Sequence, residues 1–239
     1  ENALANGKDT VILMAGAIEQ HGTHLPLSTD TVLGYEWGKA IANELGNALV
    51  APVIRPALSE HHMDFPGTIT LREKTFELVL EDYIRSLTNT GFKNIAIICS
   101  HGGNIPGVKE ALPKLEKTYS TESVNIEAIL NLKEKDEGLI EYLSTQGVTE
   151  DQAGTHSGFS ETSCMLDLAE EFVDKERMEE GFLGDVDSDE LHEKGLGAFT
   201  DNGILGDARG STGEIGSELN KMTVQFYAQE IRDRLDKTD

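Results

Sequence analysis

Short, nearly continuous apolar runs are the sequence feature that most constrains the fold of this chain. Thr10–Met14 (TVILM) and Asn94–Cys99 (NIAIIC) are the clearest; Ala48–Ile54 is similar, and Val124–Leu130 alternates more weakly. Such runs are typical of strands that are covered on both faces, as in parallel sheets between helical layers. We therefore expect these four segments to be the strands of a mainly parallel sheet.

Segments with helical periodicity lie between the apolar runs. Their apolar residues recur every three or four positions, which gives each helix one apolar face. Strands that alternate with such helices favour an α/β fold with helices on both faces of the sheet. We expect one domain over residues 1–239. The predicted helices cover 33–45, 76–87, 105–119 and 215–235, and the pattern Ser211-x-x-Glu214 predicts a capping box for the last of them.

The stretch from Asp174 to Gly210 differs from the rest of the chain. It is rich in Gly, Asp and Glu and shows little periodicity. We expect a long, loop-rich segment near the active site or at a contact between subunits. His192, within this stretch, is predicted to be a solvated surface residue.

The composition excludes several classes of function. The chain has 43 acidic and 20 basic residues and a formal net charge of −23, which repels phosphate backbones, so we expect no nucleic-acid partner. The excess acid indicates a well-solvated surface, or acids that are needed to hold cations. No apolar run reaches membrane-spanning length, so we expect no membrane partner. Cys99 and Cys164 form no disulfide framework and are predicted to be reduced and buried in a cytoplasmic protein.

A polar segment flanked by glycines follows the first predicted strand. It runs from Gly16 to Asp30 (GAIEQHGTHLPLSTD), and ligands of α/β proteins bind beyond the carboxyl ends of strands. Glu19 and His21 are two residues apart, so in extended backbone they project to the same side and can reach one metal ion. Asp30 starts the next helix, where a carboxylate bridges two ions or simply caps the helix.

A second segment of this kind, Ser100–Asn104 (SHGGN), follows the strand that ends at Cys99. Glycines beside His101 allow a metal or substrate to approach the backbone closely, and a neutral imidazole is a frequent metal ligand. The alternative is a turn whose amides hold a phosphate group. That alternative lacks the Lys and Ser/Thr of a P-loop.

The third segment, His156–Ser163 (HSGFSETS), leads into a further helix. Glu161 lies in its first turn, where its carboxylate either only complements the helix dipole or points back toward a metal. In the second case His156 is placed beside the metal as a proton shuttle. His61 and His62 fall in a predicted loop and receive no role.

Together these segments supply carboxylates and imidazoles but no thiolates. Mixed oxygen and nitrogen donors suit Zn²⁺, Mn²⁺ or Fe²⁺. The set is larger than one catalytic zinc takes, so we predict two divalent ions per chain, bridged by a carboxylate and sharing a water. The predicted ligands are Glu19, His21, Asp30, His101 and Glu161.

The motifs resemble those of the creatininase, or creatinine amidohydrolase, family. The resemblance implies a three-layer α/β/α sandwich, a two-metal centre, hydrolysis of an amide bond and a homo-oligomer, often a hexamer. It also implies that Asp30 bridges the ions and that His156 assists catalysis. In the family's order, the matching segments are Gly16–Asp30, residues 65–71 (FPGTITL), Ser100–Asn104, His156–Ser163 and, more weakly, Gly203–Asp207 (GILGD).

Two departures from the family pattern argue against creatinine as the substrate. Creatinine-hydrolysing members carry a Glu two residues after the histidine that matches His101, where this chain has Gly103. Glu161 is therefore predicted to supply the missing carboxylate. Those members also carry a Trp-Asp pair where this chain has Gln152 and Ala153. The SHGGN form resembles other branches, including formamide deformylases and a peptidase that trims a redox-cofactor precursor peptide.

The residues and the resemblance together predict a metal-dependent amidohydrolase that cleaves a non-peptide C–N bond in a cyclic or linear amide or formamide. The predicted nucleophile is a metal-bridging hydroxide, and His156 donates a proton to the leaving nitrogen. The predicted partner is a small-molecule amide. Two alternatives stay open: a metallopeptidase that trims a small precursor peptide, and a non-catalytic protein that binds a phosphorylated ligand at Gly102-Gly103.

Overall fold

Four parallel strands form the central sheet of the computed structural model, which describes residues 2–235. Residues 1 and 236–239, which the predicted domain includes, lie outside the described residues. The sheet order is β2-β1-β3-β4, and β1 pairs with β3 along its whole length. The strands are β1 (Thr10–Ala15), β2 (Ala48–Val50), β3 (Asn94–Cys99) and β4 (Asn125–Ile129).

Helices cover both faces of this sheet. Within residues 2–235, no helix is both long and apolar enough to cross a membrane. The α-helices are α1 (Asn2–Ala5), α2 (Thr29–Leu45), α3 (Glu73–Asn89), α4 (Asn104–Tyr119), α5 (Lys133–Thr145), α6 (Glu150–Ala153), α7 (Phe159–Leu168), α8 (Ser188–Lys194) and α9 (Gly213–Leu235).

Strand β1 shows why the apolar runs have no polar alternation. Val11 and Leu13 pack in the core on the side of α3 and α4, whereas Ile12 and Met14 pack in the core on the side of α2 and α9. Each successive side chain meets a different helical layer, so both faces of the strand require apolar residues. The predicted three-layer α/β/α sandwich with a parallel sheet is confirmed.

Strand β2 is shorter than the predicted segment. It ends at Val50 rather than at Ile54. Pro52 interrupts it because proline has no N–H to donate to the ladder. Pairing resumes beyond it, where the Ile54 N–H donates to the Met14 carbonyl at 2.9 Å.

The predicted capping box at the last helix is wrong. Helix α9 begins at Gly213, and the Ser211 hydroxyl instead donates to the Phe159 carbonyl at 3.2 Å. The first turn is capped by Thr212, whose hydroxyl oxygen accepts from the Ile215 N–H at 3.3 Å. Ser211 thus joins α9 to the start of α7.

The segment 174–210 is mostly irregular but contains the short helix α8. Its later part packs against the loops that follow β1 and β2. The Gly197 N–H donates to the Asp64 carboxylate at 3.1 Å, and the Gly203 carbonyl accepts from the Gln20 side chain at 3.2 Å. His192 is exposed, as predicted, although its ring lies 4.4 Å from that of His61. The alternative role of the segment at a subunit contact stays a prediction.

Candidate metal centre

The candidate site lies beyond the carboxyl ends of β1 and β3. The chain leaves β1 toward β2 on one side and returns to β3 on the other, and ligands of open α/β sheets bind at such a switch point. Glu19 and His21 follow β1, His101 follows β3, and Asp30 is in the first turn of α2. Helix α7 brings Glu161 to the same place.

A buried asparagine ties the two strand ends together. The Asn104 amide donates to the carbonyls of Ala15 at 3.1 Å and Gly16 at 2.9 Å, and its oxygen accepts from the Leu58 N–H at 3.0 Å. The Leu58 carbonyl in turn lies 2.8 Å from His101 Nε2. Asn104 therefore holds in place Leu58, the residue whose carbonyl orients His101, and no role was predicted for it.

All five predicted ligands come together around one centre. His101 Nδ1 lies 3.2 Å from Glu19 Oε1 and 3.7 Å from Asp30 Oδ2. His21 Nε2 lies 3.7 Å from Asp30 Oδ1 and 3.5 Å from Glu161 Oε1. Among these five residues the donor atoms form two triplets whose atoms lie within 4.8 Å of one another, and Asp30 belongs to both; a third triplet joins Glu19 and His21 to His156.

Backbone carbonyls orient the two imidazoles. His101 Nε2 faces the Leu58 carbonyl at 2.8 Å, and His21 Nδ1 faces the Glu19 carbonyl at 3.2 Å. A carbonyl only accepts, so these nitrogens carry the protons when the rings are neutral. The other nitrogen of each ring then presents a lone pair to the centre, as in metal-binding histidines.

Several polar atoms at the centre lack hydrogen bonds. Both oxygens of Glu19, Nε2 of His21 and Oδ2 of Asp30 have no hydrogen-bond partner among residues 2–235, and these three residues are at most 3% exposed. Burying charged atoms without partners is costly. Divalent cations between the carboxylates and imidazoles would satisfy these atoms, so the donor set fits two metal ions.

Charges at the centre shift the pKa values of the site residues strongly. Burial and the neighbouring Glu19 raise the pKa of Asp30 to about 6. Burial opposes charge on His101, but the Glu19 carboxylate outweighs it and raises the pKa to about 9. Burial also opposes charge on Glu161, but His21 lowers its pKa to about 2. In the metal-free chain, protonated imidazole rings thus offset the negative charge of the neighbouring carboxylates.

Glu161 reaches the centre through a strained turn. Its Oε2 accepts from the Ser157 N–H at 2.8 Å, which leaves Oε1 facing His21. Ser157 has a φ of 55°, a left-handed conformation that non-glycine residues seldom adopt and that clusters at functional sites. Glu161 therefore both caps the turn before its helix and belongs to the donor set.

Gly103 cannot supply the carboxylate that the family pattern places at this position. A Cβ there would lie 2.4 Å from His101 Nε2, 2.7 Å from a carbon of the His61 ring and 2.8 Å from the Leu58 carbonyl oxygen. Any side chain would thus collide with the hydrogen bond that orients His101. A carboxylate must reach the centre from elsewhere, and Glu161 does so from α7.

Two further histidines face the Glu19 carboxylate. His156 Nδ1 lies 3.9 Å from Glu19 Oε1, and its role as a proton shuttle stays a prediction. His62 Nε2 lies 3.4 Å from the same oxygen, and His62 is 2% exposed. The sequence pattern predicts only a loop at His62, without a role in the site. The sequence signal that links His62 to the site is the adjacent motif at residues 65–68 (FPGT). The Thr68 hydroxyl of this motif accepts a hydrogen bond from the Gln20 N–H and donates one to the His62 carbonyl.

One side of the centre is open to solvent. The side chains of Glu19 and His21 are fully buried, whereas Glu161 is 21% exposed and His156 is 11% exposed. Ligands therefore reach the centre from the side of Glu161 and His156.

Both cysteines, Cys99 and Cys164, are free and buried, as predicted.

The fold and the donor set define a class: α/β proteins with a buried carboxylate–imidazole centre at the sheet's switch point. The family model described as creatininase, creatinine amidohydrolase, matches residues 1–231. The chain belongs to the creatininase family, whose members are metal-dependent amidohydrolases.

Relatives and solved structures agree with this assignment. A mycofactocin precursor peptide peptidase of Mycolicibacterium smegmatis is 27% identical over 93% of this chain and 84% of its own. A creatinine amidohydrolase of Pseudomonas putida is 26% identical over 100% of this chain and 94% of its own. A mutant creatininase structure matches with a TM-score of 0.81 at 25% identity, over 98% of this chain and 93% of its own.

Two other solved structures carry metals in their descriptions. One is a mutant creatininase of the zinc–zinc type and the other a manganese creatininase. Each matches with a TM-score of 0.77 at 25% identity, over 98% of this chain and 93% of its own.

Proposed function

We propose that this chain is a metal-dependent hydrolase that cleaves the C–N bond of a small amide other than creatinine. The observation that carries the proposal is the group of buried donor atoms on Glu19, His21 and Asp30 that have no hydrogen-bond partner among residues 2–235. Family membership supports the class of reaction. The zinc and manganese forms of related structures support the kind of ion.

We assign the ligands from the two triplets of donor atoms. Glu19, Asp30 and His101 would hold one divalent ion, and His21, Asp30 and Glu161 the other. Bound ions of this kind polarise a carbonyl and lower the pKa of a water. Asp30 is the shared carboxylate, so its loss is expected to remove both ions.

His156 is suited to carry the proton. Its Nε2 lies 2.9 Å from the Gln20 carbonyl, which only accepts, so Nδ1 keeps a free lone pair on the side of the centre. Burial and nearby His21 lower its pKa to about 4, so the ring is neutral at pH 7. His156 accepts a proton from the attacking water as the carbon–oxygen bond forms, then delivers it to nitrogen as the C–N bond breaks.

A peptide is the second candidate substrate. The observation in its favour is the likeness to a mycofactocin precursor peptide peptidase over most of both chains. The same proton transfer would serve a peptide bond, since the leaving group is again an amide nitrogen.

The geometry disfavours the phosphate-binding alternative. The Asn104 N–H donates to the His101 carbonyl at 3.2 Å, and the Ile105 N–H donates to the Gly102 carbonyl at 3.0 Å. The first amides of α4 are therefore committed within the turn, and the net charge of −23 opposes an anionic ligand.

Elemental analysis and a substrate panel test the proposal. We expect about two transition ions per purified chain and turnover of formamides or lactams that requires these ions. Asp30→Ala should lose both the metal and the turnover, whereas the control Asp82→Ala, at an exposed site, should keep both. Full metal content in the Asp30 variant would refute the ligand assignment, and turnover of short peptides alone would favour the peptidase. The single domain over 1–239, the homo-oligomer and the cytoplasmic location stay predictions.

A further inference from the structure

The side chain of Gln20 lies buried between two histidines that face Glu19. Its Oε1 accepts from the Gly22 N–H at 3.0 Å, and its Nε2 donates to the Gly203 carbonyl at 3.2 Å. A backbone N–H only donates and a carbonyl only accepts, so these contacts fix which end of the amide is nitrogen. The Nε2 of Gln20, and not its oxygen, therefore faces both histidines.

The hydrogens of this amide can be placed one by one. Nε2 has two, and the Gly203 carbonyl takes one. The other points to His62 Nδ1 and His156 Nε2, each 3.0 Å away. His156 Nε2 carries a proton because it also faces the Gln20 carbonyl at 2.9 Å, so it cannot accept another. The second hydrogen therefore goes to His62 Nδ1.

This placement puts the proton of both rings on Nε2, but the two rings turn different nitrogens toward Glu19. His62 is 2% exposed and lies among other imidazole rings, which favours its neutral form. Since its Nδ1 accepts from Gln20, its single proton is on Nε2, 3.4 Å from Glu19 Oε1. His156 has its proton on Nε2 as well, but it is Nδ1, with its lone pair, that faces the same oxygen.

We propose that Gln20 is a positioning residue that directs the Nε2–H of His62, rather than a lone pair, toward Glu19 Oε1 at 3.4 Å and leaves His156 with a free lone pair. His62 then orients the Glu19 carboxylate and is not itself a ligand. A residue that orients a ligating carboxylate typically changes metal affinity tenfold to a hundredfold when it is altered. This effect on affinity rests on the proposed function, whereas the tautomers do not.

Nitrogen-15 NMR of the full chain tests the assignment directly. Histidine-labelled protein is measured metal-free and with zinc, which is diamagnetic, and the His62 signals are identified by their loss in His62→Gln. We expect an unprotonated Nδ1 and a protonated Nε2 for His62 in both samples. A protonated Nδ1 in the unaltered protein would overturn the proposal without any need for a variant to fold.

Gln20→Glu tests whether Gln20 sets the tautomer. The new carboxylate has nearly the same shape and accepts from Gly22, but it also accepts from His62. We expect His62 Nδ1 to gain a proton and zinc affinity, measured by chelator competition, to fall roughly tenfold to a hundredfold. The control Gln146→Glu, at an exposed site, should change neither. An unprotonated Nδ1 in the Gln20 variant would refute the positioning role. Absence of zinc binding in the unaltered chain would instead refute the proposed function, with the tautomers still readable.

Discussion

Gly103→Ala should damage both stability and metal binding, although it adds one methyl group. The new Cβ would lie 2.4 Å from His101 Nε2 and 2.8 Å from the Leu58 carbonyl oxygen. These two atoms form the 2.8 Å hydrogen bond that orients His101. The backbone of Gly103 has a φ of −59°, so alanine adopts it without strain and the collision is the only cause.

The magnitude follows from two contributions. Overpacking a buried site costs about 1–3 kcal/mol, and loss of one internal hydrogen bond costs about 0.5–1.5 kcal/mol. We expect a loss of about 2–4 kcal/mol in the free energy of unfolding. For a chain of this length, that is roughly 5–15 °C in Tm. Metal affinity should fall about tenfold to a hundredfold because His101 loses its orienting partner.

Urea unfolding of the metal-free protein and chelator competition with zinc measure the two effects separately. Gly102→Ala is the matched control: the neighbouring residue is exposed, and a Cβ there meets nothing within 4 Å. We expect the control to change stability by less than about 0.5 kcal/mol. Equal stability and equal zinc affinity in the two variants would refute the packing argument at Gly103.

Three further predictions follow from the same geometry. Glu161→Gln should lower the zinc content from about two ions to about one. The control Glu218→Gln, whose side chain is 41% exposed, should not change it, and unchanged metal content in the Glu161 variant would remove Glu161 from the ligand set. Ser157→Gly should raise the free energy of unfolding by about 1 kcal/mol, because glycine adopts the left-handed φ without strain and the unpartnered Ser157 hydroxyl is lost; a destabilised variant would contradict this. Zinc binding should release protons at pH 7. Burial lowers the pKa of His101, but the Glu19 carboxylate outweighs burial and raises this pKa to about 9 in the metal-free chain, so zinc must displace a proton from the ring. Zinc affinity should therefore rise with pH up to about that value, and calorimetry in buffers of different ionisation enthalpy that detects no proton release would refute the prediction.

The sequence predicted the parts of the site that depend on strand ends. Glu19, His21 and His101 directly follow two apolar runs, and the carboxyl ends of neighbouring parallel strands meet at one edge of a sheet. The sequence did not predict Asn104, His62 or Gln20 as parts of the site. Their long-range contacts span 42 to 183 residues of sequence, and no periodic pattern encodes such hydrogen bonds.

Element predictions failed where burial is weak or where proline intervenes. Helix α5 (Lys133–Thr145) was not predicted, and Leu143 is its only buried residue among those described, so it has almost no apolar face to detect. Strand β2 was predicted too long because its apolar run continues past Pro52. A hydrophobic pattern indicates which residues are buried. The length of a strand also depends on whether each residue has a backbone N–H to donate to the neighbouring strand.

Packing around Gly103 explains why the fifth donor comes from α7. The space beyond Gly103 is filled by His61 and by the bond between His101 and Leu58. Glu161 reaches the centre from α7, where its side chain is 21% exposed, whereas that of Glu19 is fully buried. A carboxylate near solvent holds a cation less tightly than a buried one, because water screens and competes for the charge. The ion that His21, Asp30 and Glu161 would hold should therefore be the first to leave on dialysis against a chelator.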